Sequence, residues 1–288
     1  MTPRSRFVVA NRLRHHLVEW GDGGPQLLLL HGFLEHAHAW DLVAPRLAAS
    51  GYHVFALDWR GHGDSEWVGS GGYYHFADYS ADLAFVIRAL GDRVALVGHS
   101  MGATSAMSYA GLEPERVTGL VLVDALGPPD MEDEAVPERY ESWIRDLERL
   151  DERDRRTFTL DEAAARLAER FPRFSPAIAR HMVEYGSRPG AGGRAWKFDP
   201  LHQTTGPIPF SRARARRFWS RVACPVLYIE GGDSPLHLLP DDKADRLAVL
   251  RARRITMDGV AHHPHLEQPE AFTRLVLDFL GGLPCADS

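Results

Sequence analysis

The residues with the clearest potential for chemistry lie in the run Gly98–Gly102, which has the sequence Gly-His-Ser-Met-Gly. A serine hydroxyl becomes a useful nucleophile when a neighbouring base removes its proton. Glycines two positions before and after Ser100 are typical of a turn too tight for side chains, with the hydroxyl exposed at its tip. The spacing indicates nucleophilic attack on a carbonyl carbon, provided that a strand precedes the turn and a helix follows it.

The sequence on both sides of Ser100 supplies these elements. The apolar run Val94–Val97 predicts a buried strand, and the small residues through Ala110 predict a helix whose N-terminus points at the serine. The same alternation continues along the chain, with further strands predicted at Phe7–Ala10, Leu13–Trp20, Leu27–Leu30, Val54–Leu57, Leu120–Val123, Pro225–Ile229 and Arg254–Met257, and helices at Leu42–Ala49, Tyr79–Leu90, Leu238–Leu250 and from Pro269 onward. This pattern predicts an α/β fold with a mostly parallel, eight-stranded sheet flanked by helices.

The alternation stops between Gly127 and Val222, where the sequence predicts helices and loops but no strand of the central sheet. Thr159 and Glu162 form a capping-box pattern at the start of one of these helices, and Gly186–Gly193 is predicted to be a flexible loop. We therefore predict a helical cap at residues 127–222, inserted into a core formed by residues 1–126 and 223–288.

Composition narrows the possible partners and compartment. The chain has 288 residues, 44% of them hydrophobic, and a formal net charge of −6, which is unfavourable for binding a nucleic-acid polyanion. No apolar run is long enough for a signal peptide or a membrane span. Two cysteines, Cys224 and Cys285, fit a reducing compartment. We expect a cytoplasmic monomer or homodimer without nucleic-acid or membrane partners.

With these motifs the sequence resembles the α/β-hydrolase superfamily, in its serine-nucleophile branch, over nearly the whole chain. The family's His-Gly motif after the third strand is present as His31-Gly32-Phe33, and the Asp58–Ser65 run matches a family loop expected to brace the nucleophile turn. The resemblance implies an oxyanion hole formed by the backbone amides of Phe33 and Met101. Two further runs are loosely similar to the serum-hydrolase-like branch: Trp196–His202 and Gly231–Ser234.

The resemblance also implies which histidine is the base. Family members place it after the last strand, and here the run Gly259–Glu270 matches that pattern. Glu267, Pro269 and Glu270 fix the register, so that His262 is the expected base.

The acidic partner of this histidine is less well defined by the resemblance. The usual family position falls on Ser234, with Asp233 one residue early. Some branches, including several haloalkane dehalogenases, place the acid at the end of the sixth strand, which here is Asp124. Because a serine stands at the usual position, we predict Asp124 as the acid, with Asp233 as the alternative.

A rival interpretation of the histidines is a metal site formed by His262, His263 and His265, together with His36 and His38. Adjacent histidines rarely converge on one ion, and no His-x-x-x-His pair is predicted on a helix. We therefore expect neither a metal nor an organic cofactor. A substrate pocket needs apolar walls, and the aromatic residues Trp40, Trp143 and Trp196 are the candidates for lining it.

The predicted activity is hydrolysis of a carboxylic ester of a small or medium, largely apolar substrate through an acyl-enzyme. Ser100 would attack, His262 would move the proton and Asp124 would orient the histidine. Epoxide hydrolases and haloalkane dehalogenases of this family use aspartate at the nucleophile position, which argues against those activities. Alternatives with the same residues are a carbon–carbon bond hydrolase acting on ring-cleavage products, a lactonase or a perhydrolase. A receptor-like binding protein is the non-enzymatic alternative.

Overall fold

The computed structural model describes residues 2–91, 93–131, 135–150, 157–235 and 240–283. Part of the predicted helix Leu238–Leu250 and Cys285 lie outside these residues, as do short stretches of the predicted cap. Within the described ranges, none of the helices is long and apolar enough to cross a membrane.

The expected eight-stranded sheet is confirmed. Its strands, written β1–β6, β9 and β10 in chain order, are Arg4–Ala10, Leu13–Trp20, Gln26–Leu30, His53–Leu57, Val94–His99, Val117–Val123, Val226–Gly231 and Arg253–Met257. Their order across the sheet is β1-β2-β4-β3-β5-β6-β9-β10. The pairs β1–β2 and β2–β4 are antiparallel, and every other pair is parallel. The central strands are buried on both faces, which explains their uninterrupted apolar sequences.

Helices cover the two faces of this sheet. Those outside the inserted segment, named α1–α3 and α8–α10, are Ala44–Ala49, Phe76–Leu90, Met101–Leu112, Pro240–Leu250, Pro264–Glu267 and Pro269–Gly281. Because side chains alternate along a strand, Leu28 packs with α2 and α3 on one face, whereas Leu29 packs with α1 and α10 on the other. A turn of 3₁₀-helix at Ala37–Trp40 precedes α1. The helix predicted over Leu42–Ala49 is present, but it begins two residues later than predicted, at Ala44.

The topology brings the predicted reactive residues to one edge of the sheet. Parallel strands end at a common edge, and in open α/β sheets this edge is where ligands bind. Ser100 follows β5 and Asp124 follows the neighbouring strand β6, while His262 lies in the loop after β10. The three residues therefore come from loops of the same edge, although Ser100 and His262 are 162 positions apart in the chain.

In its described residues, the segment between β6 and β9 contributes no strand to the large sheet. Its described helices, α4–α7, are Val136–Glu148, Leu160–Arg170, Pro176–Gly186 and Arg212–Trp219. The predicted capping box is present, because Thr159 and Glu162 each accept a hydrogen bond from the other's backbone amide. The predicted flexible loop Gly186–Gly193 is wrong: strands β7 (Ser187–Gly190) and β8 (Gly193–Trp196) pair in a separate two-stranded hairpin.

A close backbone contact fixes the last helix of this segment on the core. The backbone of Gly111, in α3, lies so near α7 that a Cβ atom would overlap the carbonyl oxygen of Phe218. The neighbouring Trp219 is buried in the same core cluster as α3. Only glycine therefore allows this approach of the two helices.

We predict that Gly111→Ala lowers the free energy of unfolding by about 1–3 kcal/mol, because two backbones must separate to admit one methyl group. Chemical denaturation measures this difference. The matched control is Gly23→Ala, since a Cβ at Gly23 meets no atom within 4 Å. Equal stability of the two variants would show that α7 is not held by this contact.

Candidate active site

Ser100 has the backbone conformation that an exposed nucleophile requires. Its φ of 52° and ψ of −112° lie outside the favourable regions for an L-residue, and its amide donates to Val123 O at 3.0 Å. Glycine is required on both sides: a Cβ at Gly98 would press against the backbone of Gly102, and a Cβ at Gly102 would overlap the carbonyl oxygen of Leu30. Close packing of strand, turn and helix thus maintains the strained serine.

The two backbone amides predicted to bind an oxyanion belong to the residue after Ser100 and to the loop after β3. Met101 is the first residue of α3, so its amide has no carbonyl partner within the helix. Phe33 lies in the loop after β3, where the next residue, Leu34, has a φ of 62° and donates its amide to His62 Nε2 at 3.3 Å. This bond fixes the loop immediately beyond Phe33.

The carboxylate of Asp124 is buried and fully engaged at the end of β6. One oxygen accepts the amide of Gly231 at 3.0 Å. The other accepts the hydroxyl of Ser234 and the Nδ1–H of His262, the latter at 2.7 Å. The φ of Asp124 is 49°, another left-handed non-glycine position. A buried carboxylate that accepts hydrogen bonds from three donors holds each donor in place.

The structure brings Asp124, and not Asp233, to His262. The side chain of Asp233 is 51% exposed and forms an ion pair with Arg173 at 2.6 Å. The residue at the usual family position of the acid, Ser234, instead donates its hydroxyl to Asp124. Two candidates that the sequence left open are therefore separated by geometry.

The hydrogen bond to Asp124 also fixes the tautomer of His262. Since the carboxylate only accepts, Nδ1 carries the proton, and Nε2 is the nitrogen able to take another. The loop of His262 is joined to the nucleophile turn by His99, whose Nε2–H donates to the His262 carbonyl at 2.8 Å. The two imidazole rings are 4.6 Å apart. His262 and His99, the residue preceding Ser100, are thus in direct contact.

Beneath these residues lies a second buried polar group that the sequence analysis passed over. Glu35 is hydrogen-bonded to His99 Nδ1 at 3.2 Å and to His263 Nε2 at 3.1 Å. Burial alone would raise the pKa of Glu35, but the His99 and His263 rings hold it well below its usual value. Burial alone would lower the pKa of His99, but the Glu35 carboxylate leaves it above its usual value. A glutamate three residues after the His-Gly motif was the available signal.

His265 has a different environment from its neighbours. It is fully buried and stacks on Trp40 with ring centroids 4.4 Å apart. Burial holds the pKa of His265 well below its usual value, so the ring is neutral. Neither ring nitrogen has a hydrogen-bond partner in the described part of the chain.

Metal binding by these histidines was the rival interpretation. In the described ranges, two groups near Ser100 place one candidate ligand atom per residue within 4.8 Å of one another: His99 with His262 and His263, and Glu35 with His99 and His265. His36 and His38 belong to neither. In the first group, both ring nitrogens of His99 and Nδ1 of His262 already have hydrogen-bond partners within the protein.

The three tryptophans predicted to line a pocket occupy different environments. Trp40 has no exposed surface and packs in the core against His265 and Phe272, so it is a core residue. Trp143 and Trp196 are partly buried in the inserted segment. Their aromatic neighbours are Tyr73 and Tyr140 for the first, and Phe158 and Phe198 for the second.

The inserted segment reaches the loop of Phe33 through His202. The ring of His202 is 4.0 Å from that of His62 and 6.3 Å from that of Phe33, whose side chain remains 49% exposed. Burial lowers the pKa of His202 to about 3 and holds the pKa of His62 well below its usual value. Two buried, neutral imidazoles therefore lie against the accessible phenyl ring of Phe33.

Comparison with known proteins identifies the family of the chain. A family model described as the α/β hydrolase fold matches residues 25–269. The chain is 30% identical to a serine hydrolase-like protein of Danio rerio, over 91% of this chain and 83% of that protein. It is 29% identical to epoxide hydrolase A of Mycobacterium tuberculosis, over 98% of both chains.

A solved structure, the thioesterase domain from the curacin biosynthetic pathway, shares 27% identity with the chain. Its TM-score is 0.86, and the match covers 96% of this chain and all of that domain. Sequence and structure thus identify the same group of proteins. The chain belongs to the α/β-hydrolase family.

Proposed function

We propose that the protein is a serine hydrolase that cleaves a carboxylic ester of a small or medium, largely apolar substrate. The observation that carries the proposal is the strained backbone of Ser100, next to a histidine whose Nδ1–H is bonded to buried Asp124. Strain of this kind places a hydroxyl at the tip of a turn, and the histidine tautomer leaves Nε2 to accept its proton.

The first half of the reaction forms an acyl-enzyme. Ser100 Oγ attacks the ester carbonyl carbon while its proton passes to His262 Nε2. The carbonyl oxygen becomes negative and is stabilised by the amides of Phe33 and Met101. The intermediate then expels the alcohol, which takes the proton from His262. Asp124 stabilises the imidazolium throughout this exchange and does not itself become protonated.

The second half reverses these roles with water. His262 removes a proton from a water molecule, whose oxygen attacks the acyl carbon. The second tetrahedral intermediate collapses to the carboxylic acid, and Ser100 regains its proton from His262. Apart from the substrate and water, every step of this reaction uses groups of the chain itself.

The nucleophile distinguishes this proposal from epoxide hydrolysis, the activity named for one relative. A serine that opened an epoxide would form an ether, which water does not hydrolyse readily. An aspartate that opened an epoxide would form an ester, and water hydrolyses an ester more readily than an ether. A serine acyl-enzyme is itself an ester, so Ser100 favours acyl transfer.

We further propose that residues 127–222 cap the site. His202 supports this role because it places part of the inserted segment against Phe33. The accessible phenyl ring of Phe33, packed on the buried, uncharged rings of His62 and His202, favours an apolar group of the substrate.

We predict that p-nitrophenyl esters of increasing acyl length are hydrolysed with saturation, and that Ser100→Ala lowers kcat by about 10⁴-fold or more. His262→Ala should cause a similar loss, because nucleophile and base act as one unit. Initial rates for purified protein, with thermal melting as a check on folding, test this. Wild-type turnover no faster than that of Ser100→Ala would contradict an esterase and favour the receptor-like alternative.

We predict that Asp124→Asn lowers kcat by about 10³- to 10⁴-fold, because an amide supplies no charge for the imidazolium and favours the wrong histidine tautomer. The matched control is Asp233→Asn, which removes an exposed ion pair with Arg173 and should change kcat by less than about twofold. The same ester assay compares both variants. A larger loss in Asp233→Asn would exclude Asp124 as the acid.

A further inference from the structure

One carboxylate of the candidate site contacts three segments of the chain: its own loop, the end of a strand and a second loop. Glu35 Oε2 accepts the amide of Gly32 at 2.9 Å and faces His99 Nδ1 at 3.2 Å. Glu35 Oε1 faces His263 Nε2 at 3.1 Å. The three partners belong to the loop after β3, to the end of β5 and to the loop after β10, respectively. Glu35 is therefore the point at which these segments meet.

The hydrogen bonds of His99 determine its charge. Its Nε2 lies 2.8 Å from the carbonyl oxygen of His262, and a carbonyl oxygen only accepts, so Nε2 carries a proton. Its Nδ1 faces the Glu35 carboxylate, which also only accepts when ionised. Both ring nitrogens are then donors, and His99 is an imidazolium paired with Glu35.

Each bond of this pair ends at, or next to, a residue with a role in the proposed mechanism. Gly32 precedes Phe33, whose amide would bind the oxyanion, and His99 precedes Ser100. The carbonyl bonded to His99 belongs to His262 itself. Glu35 and His99 thus link the proposed nucleophile, base and oxyanion amide, and neither side chain takes part in the reaction itself.

We propose that Glu35 and His99 form an ion pair, largely shielded from water, that positions Ser100, His262 and the Phe33 amide relative to one another. The proposal rests on the function proposed above, and both residues act as positioning residues that do not touch the substrate. A displacement of a reacting group by about 1 Å can cost about 10²-fold in rate. Because the pair joins the three segments that carry the reacting groups, we expect its loss to slow the chemical step.

Net stabilisation of the fold does not by itself account for this pair. Removing two charges from water is costly, and apolar residues in place of a buried ion pair are often equally stable. The charges also fix the geometry at the point where the three segments meet. We therefore expect substitutions here to change the chemical step more than substrate binding.

Glu35→Gln is the informative variant because it keeps the size of the side chain and removes the charge. We expect kcat for the best p-nitrophenyl ester to fall about 10- to 100-fold, with KM changed less than about twofold. Glu35→Asp, which retains the charge, should recover part of this loss. The rate at which a fluorophosphonate probe labels Ser100 gives a second readout that does not depend on identifying the natural substrate.

The matched control is Asp41→Asn. Asp41 is a partly buried carboxylate that also holds two histidines, with His38 Nδ1 at 2.9 Å and His181 Nε2 at 3.3 Å. Neither histidine belongs to the loops of Ser100 or His262. We therefore expect Asp41→Asn to retain the wild-type kcat and labelling rate.

Nitrogen-15 NMR of histidine side chains tests the charge directly in the wild-type protein. We expect the two ring nitrogens of His99, assigned by its loss in His99→Gln, to give imidazolium shifts at about pH 7, and a neutral ring in Glu35→Gln. A neutral His99 ring in the wild type would overturn the ion pair, even if the Glu35 variants did not fold. Wild-type kcat and labelling in folded Glu35→Gln would overturn the positioning role.

These outcomes are distinguishable from failure of the proposed function. If Ser100→Ala hydrolyses esters as well as the wild type does, the hydrolase mechanism is wrong, whatever the NMR result. If Ser100→Ala is inactive but Glu35→Gln is as active as the wild type, only the positioning role fails.

Discussion

The buried carboxylate of Asp124 is the constraint on which the arrangement of the site depends. A charge removed from water must be compensated by donors, and here the donors come from Gly231, Ser234 and His262. All three lie beyond the inserted segment in the chain, whereas Asp124 lies before it. Satisfying one carboxylate therefore fixes the end of β9 and the loop after β10 against β6. The insertion can vary in sequence without changing this register.

The sheet and the nucleophile turn were predictable because each depends on local sequence. Continuous apolar strands identify a parallel sheet, and the glycines around Ser100 reflect backbone contacts that exclude a Cβ. The choice between Asp124 and Asp233 was not local, since both follow strands that end at the same edge. Exposure and the ion pair to Arg173 separate them, and neither property can be inferred from spacing.

Other parts of the site were missed because burial of a polar side chain leaves little trace in a sequence pattern. Glu35 and His99 look like ordinary loop and strand-end residues until the fold encloses them together. Trp40 looked like a pocket residue because it follows the His-Gly loop, yet it packs on His265 in the core. In the inserted segment, a Gly/Pro-rich run predicted to be a loop instead forms the hairpin of β7 and β8, because its glycines provide the turn.

The order of the site residues along the chain also affects biosynthesis. The proposed nucleophile and acid, Ser100 and Asp124, emerge from the ribosome before the inserted segment, and the proposed base, His262, emerges after it. A nascent chain can thus complete the strained turn while it still lacks a group to deprotonate the serine. In the proposed mechanism, a chain truncated before the loop after β10 therefore lacks the base that activates Ser100.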